Sequence, residues 1–146
     1  MKKGIIIFIL VVAFLSLFLT WFKLPWIDTS KGIDLDFSFV PIVILIINIL
    51  FVVTGKWATA ITGFQYKIFI FSGLIALLWT IYAYFSYKTN VLAMGDGNFI
   101  SQIVSDQVEI QQGFVVFIIA CTSWLLLGLL WRKWMYYNSE IKFIRI

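Results

Sequence analysis

The residues best equipped for chemistry lie in one short stretch, DTSKGIDLDFSFVP, from Asp28 to Pro41. Asp34 and Asp36 are two positions apart, so on an extended backbone both carboxylates leave the same face. Asp28 can approach them across the turn that Thr29, Ser30, Lys31 and Gly32 signal. Three carboxylates offer the oxygen ligands that Ca²⁺ takes. The spacing matches no calcium loop, however, and Lys31 stands among the acids, so a solvated acidic face is the simpler reading. A second acidic pair, Asp106 and Glu109, lies further along the chain. Asp34 with either of these offers two carboxylates for acid–base work, but no nucleophile motif accompanies them. These five acids are therefore candidate outer-surface contacts. No catalytic residue, metal site or cofactor is expected.

What the chain lacks narrows the chemistry further. It has no histidine and a single cysteine, Cys121. Histidine-held haem, His-containing zinc sites and Ser-His-Asp triads are excluded within the chain, as is an internal disulfide. Cys121, Thr122 and Ser123 form a polar cluster, but no base is within reach. Hydroxyls in such a place bond back to their own helix or across to a neighbour.

The elements that must position these groups are apolar. The chain has 146 residues, of which 62% are hydrophobic and 12% charged, too greasy for a soluble domain of this size to bury. Four runs are long enough to span a bilayer: residues 4–22, 37–55, 68–87 and 113–131. About 20 residues cross a hydrocarbon core of about 30 Å, and none of the four runs contains a charged residue. The expected fold is an all-α integral membrane protein, a four-transmembrane-helix bundle forming one domain. The first run, with its basic start, also resembles a signal peptide, but no convincing cleavage site follows it, and it reads as an uncleaved span.

Orientation follows from Lys and Arg. Lys2, Lys3, Lys56, Lys67, Arg132, Lys133, Lys142 and Arg145 fall on one side, and only Lys23, Lys31 and Lys88 on the other. Both termini are expected in the cytoplasm, with an inner loop at 56–67 and a tail at 132–146. Trp21, Trp26, Tyr82, Tyr84 and Tyr87 read as an outer aromatic belt. Trp79 and Trp124 fall deeper, and each indole N–H needs a partner.

Two outer segments remain, 23–36 and 88–112. In the first, Ile33, Leu35, Phe37 and Phe39 alternate with polar residues, the period of a strand, and a β-hairpin over 26–37 is expected. In the second, Phe99, Ile100, Ile103 and Val104 fit an amphipathic helix over 99–106, and QVEIQ fits a strand. Together they form a small outer cap. Four spans with extended structure after the first resemble claudin-type tetraspans in outline. That family carries paired cysteines in this loop, and here the loop has none, so the resemblance implies architecture alone.

Within the spans, no ionisable residue marks a coupled transport pathway. Asn48 is the buried polar group that must find a partner. Gly73, Ala76, Thr80 and Ala83 form a small-residue stripe where another helix can approach closely. No basic block suggests nucleic acid. By subtraction, the expected function is non-catalytic: binding a membrane partner or lipid as an accessory, regulatory or immunity-type protein. The alternatives are an uncoupled pore or flippase and an outer-surface enzyme. Expected partners are the lipid bilayer and another integral membrane protein or a second copy. The richness in Ile, Phe and Lys suggests a bacterial cytoplasmic membrane.

Overall fold

The computed structural model describes residues 3–24, 29–54, 63–94, 103 and 106–143, and of 3, 63–66, 94 and 131–143 only the backbone. The elements are α1 (Lys3–Ser16), β1 (Thr20–Lys23), β2 (Thr29–Lys31), a 3-10 turn (Gly32–Asp34), α2 (Phe39–Thr54), α3 (Gly63–Met94), β3 (Glu109–Ile110) and α4 (Gln112–Phe143). The protein is mostly helical, with a small sheet that an all-α reading omits.

The helices form a ring. α1 packs on α2, α2 on α3, α3 on α4, and α4 closes back onto α1. Contacts between Trp79 and Phe117 and between Phe69 and Trp124 show that α3 and α4 run antiparallel. α3 and α4 interlock through glycines. A Cβ on Gly73 would stand 2.7 Å from Leu125 Cδ2, and one on Gly128 would stand 2.5 Å from Ile70 Cδ1. Each helix thus offers a missing side chain to a large one opposite, which draws the backbones together.

Two helices are long and apolar enough to cross a membrane. They are Lys67–Ala93 within α3 and Gln112–Leu130 within α4, with mean hydropathy 2.0 and 2.4. Gly4–Ser16 and Phe39–Thr54 are shorter apolar helices. Large apolar side chains face outward on all four, among them Phe8 (68% exposed), Leu50, Leu78 (65%) and Leu130 (61%).

The expected spans shift at their ends. The first helix stops at Ser16 rather than residue 22, although the sequence stays apolar. Leu17, Phe18 and Leu19 tighten into 3-10-type bonds to Phe14, Leu15 and Ser16. The Trp21 indole then donates to the Ser16 carbonyl at 2.8 Å, and the Ile33 amide donates to the Leu17 carbonyl at 2.9 Å. Carbonyls that a helix end leaves open are satisfied this way. α2 starts at Phe39, two residues late, with Pro41 in its first turn, where a missing N–H costs nothing. α3 runs seven residues past the expected end, through Lys88, Thr89 and Asn90, because Val91 still faces inward and is buried. α4 continues to Phe143, so much of the expected tail is helix.

The cap is a three-stranded antiparallel sheet in the order β2-β1-β3. The hairpin lies earlier than the expected 26–37. Its strands are β1 and β2, and 32–34 is a 3-10 turn rather than a strand. QVEIQ does supply the third strand. Of the helix expected over 99–106, Ile103 and Asp106 are helical and the rest lies outside the described residues.

Register explains how the sheet holds the bundle. Thr20 pairs with Lys31 and Phe22 with Ser30, so Trp21 is an extra residue, a β-bulge. Successive strand residues ordinarily face opposite ways. The bulge lets both Trp21 and Phe22 turn inward, and both are fully buried. Trp21 is therefore core, not the outer belt residue that its type suggested. Its ring lies 5.4 Å from Trp79 and Phe114 and 5.1 Å from Phe117. Phe22 stacks on Tyr87 at 4.8 Å.

Candidate functional site

The connection between the cap and α2 is hydrogen-bonded to α3 through Asp36. Its backbone carbonyl accepts the Trp79 indole N–H at 3.2 Å. Its Oδ2 accepts the Ser86 hydroxyl at 2.7 Å and the Asn90 amide at 3.1 Å. Trp79, Ser86 and Asn90 are seven and four residues apart, so one face of α3 carries all three donors. Both side-chain bonds fall on Oδ2.

Beside this clamp is a cleft of about 270 Å³. Leu24, Ser30, Asp34, Leu35 and Asp36 line it from the cap, and Ala83, Ser86, Tyr87, Asn90 and Val91 from α3. Its floor mixes apolar and polar groups. Its charge is negative, with two carboxylates and no Lys or Arg among the lining residues. Asp34 is held only loosely, its Oδ2 accepting the Lys31 backbone N–H at 3.4 Å.

The turn after Asp36 changes direction sharply. Phe37 has φ 57°, the left-handed region that costs a side chain about 1 kcal/mol or more. Its ring is exposed and lies 5.9 Å from Tyr82 and 6.1 Å from Phe39. The period-two pattern over 33–39 thus does not make a strand with one covered face. Leu35 is buried, while Phe37 and Phe39 face outward.

No protein-family model, curated protein or solved structure matches the chain.

The structure separates the expected acids. Asp34 and Asp36 share the cleft. Asp106 pairs with Lys88 at 2.8 Å on the exposed side of α3. Such a surface pair contributes little to stability. Glu109 stands opposite Lys23 in β3, with β1 between it and the strand that precedes Asp34. Asp28 lies outside the described residues. Among the described residues no group of three or more His, Cys, Asp or Glu is placed to hold a metal ion.

The small-residue stripe of Gly73, Ala76, Thr80 and Ala83 is buried within the chain. Thr80 bonds back to the Ala76 carbonyl at 2.8 Å. Asn48 is buried where α2 meets α3. Its amide donates to the Ile44 carbonyl at 2.8 Å and to Ser72 Oγ at 3.0 Å. Ser72 in turn reaches Asn48 Oδ1 at 3.3 Å and the Phe69 carbonyl at 3.0 Å. Asn48→Ala is expected to cost about 1 kcal/mol, and a double-mutant cycle with Ser72→Ala, followed by unfolding in detergent, should return a coupling of about 0.6 kcal/mol. Of the two deep indoles, Trp79 finds Asp36, while Trp124 Nε1 is buried without a hydrogen-bond partner.

Sequence reasoning picked out Asp34 and Asp36 but not Ser86, Asn90 or Val91. The signal was present as a helical stripe of donors at 79, 86 and 90, hidden because Lys88, Thr89 and Asn90 read as loop.

Proposed function

We propose that the chain is a non-catalytic four-span membrane protein, with its termini in the cytoplasm and its cap outside, that acts by binding a membrane partner or lipid. The observation that carries this is the height of the outward apolar surface. Among the described residues, the outermost exposed large apolar side chains are Phe39 and Val53 on α2, Phe71 and Phe85 on α3, and Val115 and Leu130 on α4, while on α1 they run from Ile5 to Leu15 and continue past the helix end at Phe18 and Leu19. On α2, α3 and α4 each pair is 14 or 15 residues apart, about 21 to 23 Å at 1.5 Å per residue. Apolar belts of this height suit a slab of hydrocarbon. Only 39% of each of the two long apolar windows is buried, where the core helix of a soluble protein would be mostly buried. Exposed apolar patches of this extent are rare on soluble monomers.

Direction rests on the Lys and Arg asymmetry, eight residues against three. The start of α1 and the end of α4 lie at the end of the ring away from the sheet, which suits termini on one side. The non-catalytic reading rests on the chemistry present: the Ser86 hydroxyl beside the cleft is tied to Asp36 Oδ2, and no histidine or cysteine lines the cleft.

Cysteine mapping tests the arrangement. With Cys121 replaced by alanine, Ser30→Cys should react with an impermeant maleimide on intact cells, and Lys133→Cys only after permeabilisation. Labelling of both from outside would overturn the topology. Purification in mild detergent should then bring down a membrane protein at fixed stoichiometry or firmly held lipid. A chain that emerges with neither would overturn the functional reading.

A further inference from the structure

We propose that the cleft beside Asp36 binds the head group of a lipid that carries a primary ammonium group, of the phosphatidylethanolamine type. The proposal rests on the membrane reading above and assigns that reading a ligand and a place.

Charge sets the sign. Asp34 and Asp36 face one cavity whose lining includes no Lys or Arg. Asp36 Oδ2 is occupied by Ser86 and Asn90, and that leaves Oδ1 for a donor. An ammonium has three N–H donors and no acceptor. Asp34, Asp36 and Ser30 share that lining, and their side chains carry oxygens that can accept. A quaternary ammonium has no N–H to give and is held by aromatic cages. Here Tyr87 is the single aromatic among the lining residues, so the primary amine fits better.

Size and surroundings indicate a lipid rather than a free amine. At about 270 Å³ the cleft falls below the range for drug-sized ligands and suits a small head group. Its rim continues into apolar surface. Asp36 is followed by exposed Phe37, and Ala83 and Ser86 on α3 flank exposed Tyr82 and Phe85. Phe37 and Tyr82 touch, forming an aromatic edge on the outward side of the bundle. A molecule with an ammonium head and acyl chains satisfies both surfaces at once, the head in the cleft and the chains along Phe37, Phe39 and Phe85.

The test uses the full chain in nanodiscs of equimolar phosphatidylethanolamine and phosphatidylcholine, with retained lipid counted by native mass spectrometry. The wild type should retain the ethanolamine lipid about tenfold over the choline lipid, the factor for one charge-assisted hydrogen bond. Asp34→Asn should bring that ratio close to unity, because it leaves the bonds to Asp36 untouched, and Asp34→Glu should keep the preference. Val91→Phe, which fills the cleft from α3, should abolish it without changing charge. An embedded wild type with no preference would overturn this inference and leave the membrane reading standing. A chain that stays outside the nanodisc would overturn both. Free ethanolamine that displaces the lipid at equal concentration would overturn the lipid as the ligand.

Discussion

Trp21→Ala is expected to cost about 3 to 5 kcal/mol, enough to unfold the cap or the whole chain. This side chain joins the sheet to α1, α3 and α4. The indole is fully buried and meets Phe22, Trp79, Phe114 and Phe117, so α3, α4 and the sheet converge on it. Its N–H also closes the end of α1 at the Ser16 carbonyl. Removal leaves a cavity and an open carbonyl together. Trp21→Phe separates the two effects, since it keeps an aromatic ring and loses the hydrogen bond, and should cost less than half as much. Thermal unfolding in detergent, followed by size exclusion, measures both. An alanine variant that melts with the wild type would show that the bulge does not organise the cap.

Gly113→Ala should destabilise by about 1 to 3 kcal/mol although it adds a single methyl group. A Cβ there would stand 2.7 Å from the Trp21 ring, 2.8 Å from the Thr20 carbonyl oxygen and 2.9 Å from Leu19 Cβ. One of these is backbone and cannot turn aside. Gly32 presses the same indole from elsewhere, its would-be Cβ 2.5 Å from Cε2. Two glycines thus clamp one tryptophan. Gly4→Ala is the control, since nothing lies within 4 Å of a Cβ at that position. The alanine at 113 should also cost much less when Trp21 is already alanine, a non-additivity expected of groups in contact. Equal costs in both backgrounds would rule out the clamp.

The apolar runs made the helices legible, because hydropathy is a sum over many residues and tolerates local exceptions. The end of α1 was not legible. Leu17, Phe18, Trp21 and Phe22 continue the apolar run, and composition does not distinguish residues facing lipid from residues folded beneath a sheet. A bulge has no hydropathic sign at all. It was visible only as its consequence, two consecutive large aromatics at 21 and 22. The cleft was half legible. Asp34 and Asp36 were conspicuous as charges among apolar neighbours, and both side chains are exposed. Their partners were hidden, because Ser86 fell inside the expected span 68–87 and Asn90 in a polar stretch that suggests loop. The alternation over 33–39 misled for a definite reason. A 3-10 turn followed by a left-handed residue also sends alternate side chains to different sides, so period two does not by itself make a strand.

The distance along the chain between Trp21 and its glycine at 113 has a consequence for synthesis. Trp21 is made just after the first helix, but Phe114 and Phe117 arrive only with the last, and more than half of the chain lies between. Contacts so remote in sequence form late, after the loop between them has been closed. Until the fourth helix is in place, the indole at the centre of the cap lacks much of its covering. The tryptophan therefore reports completion: a chain halted or cut before residue 112 exposes a large aromatic that the finished protein hides.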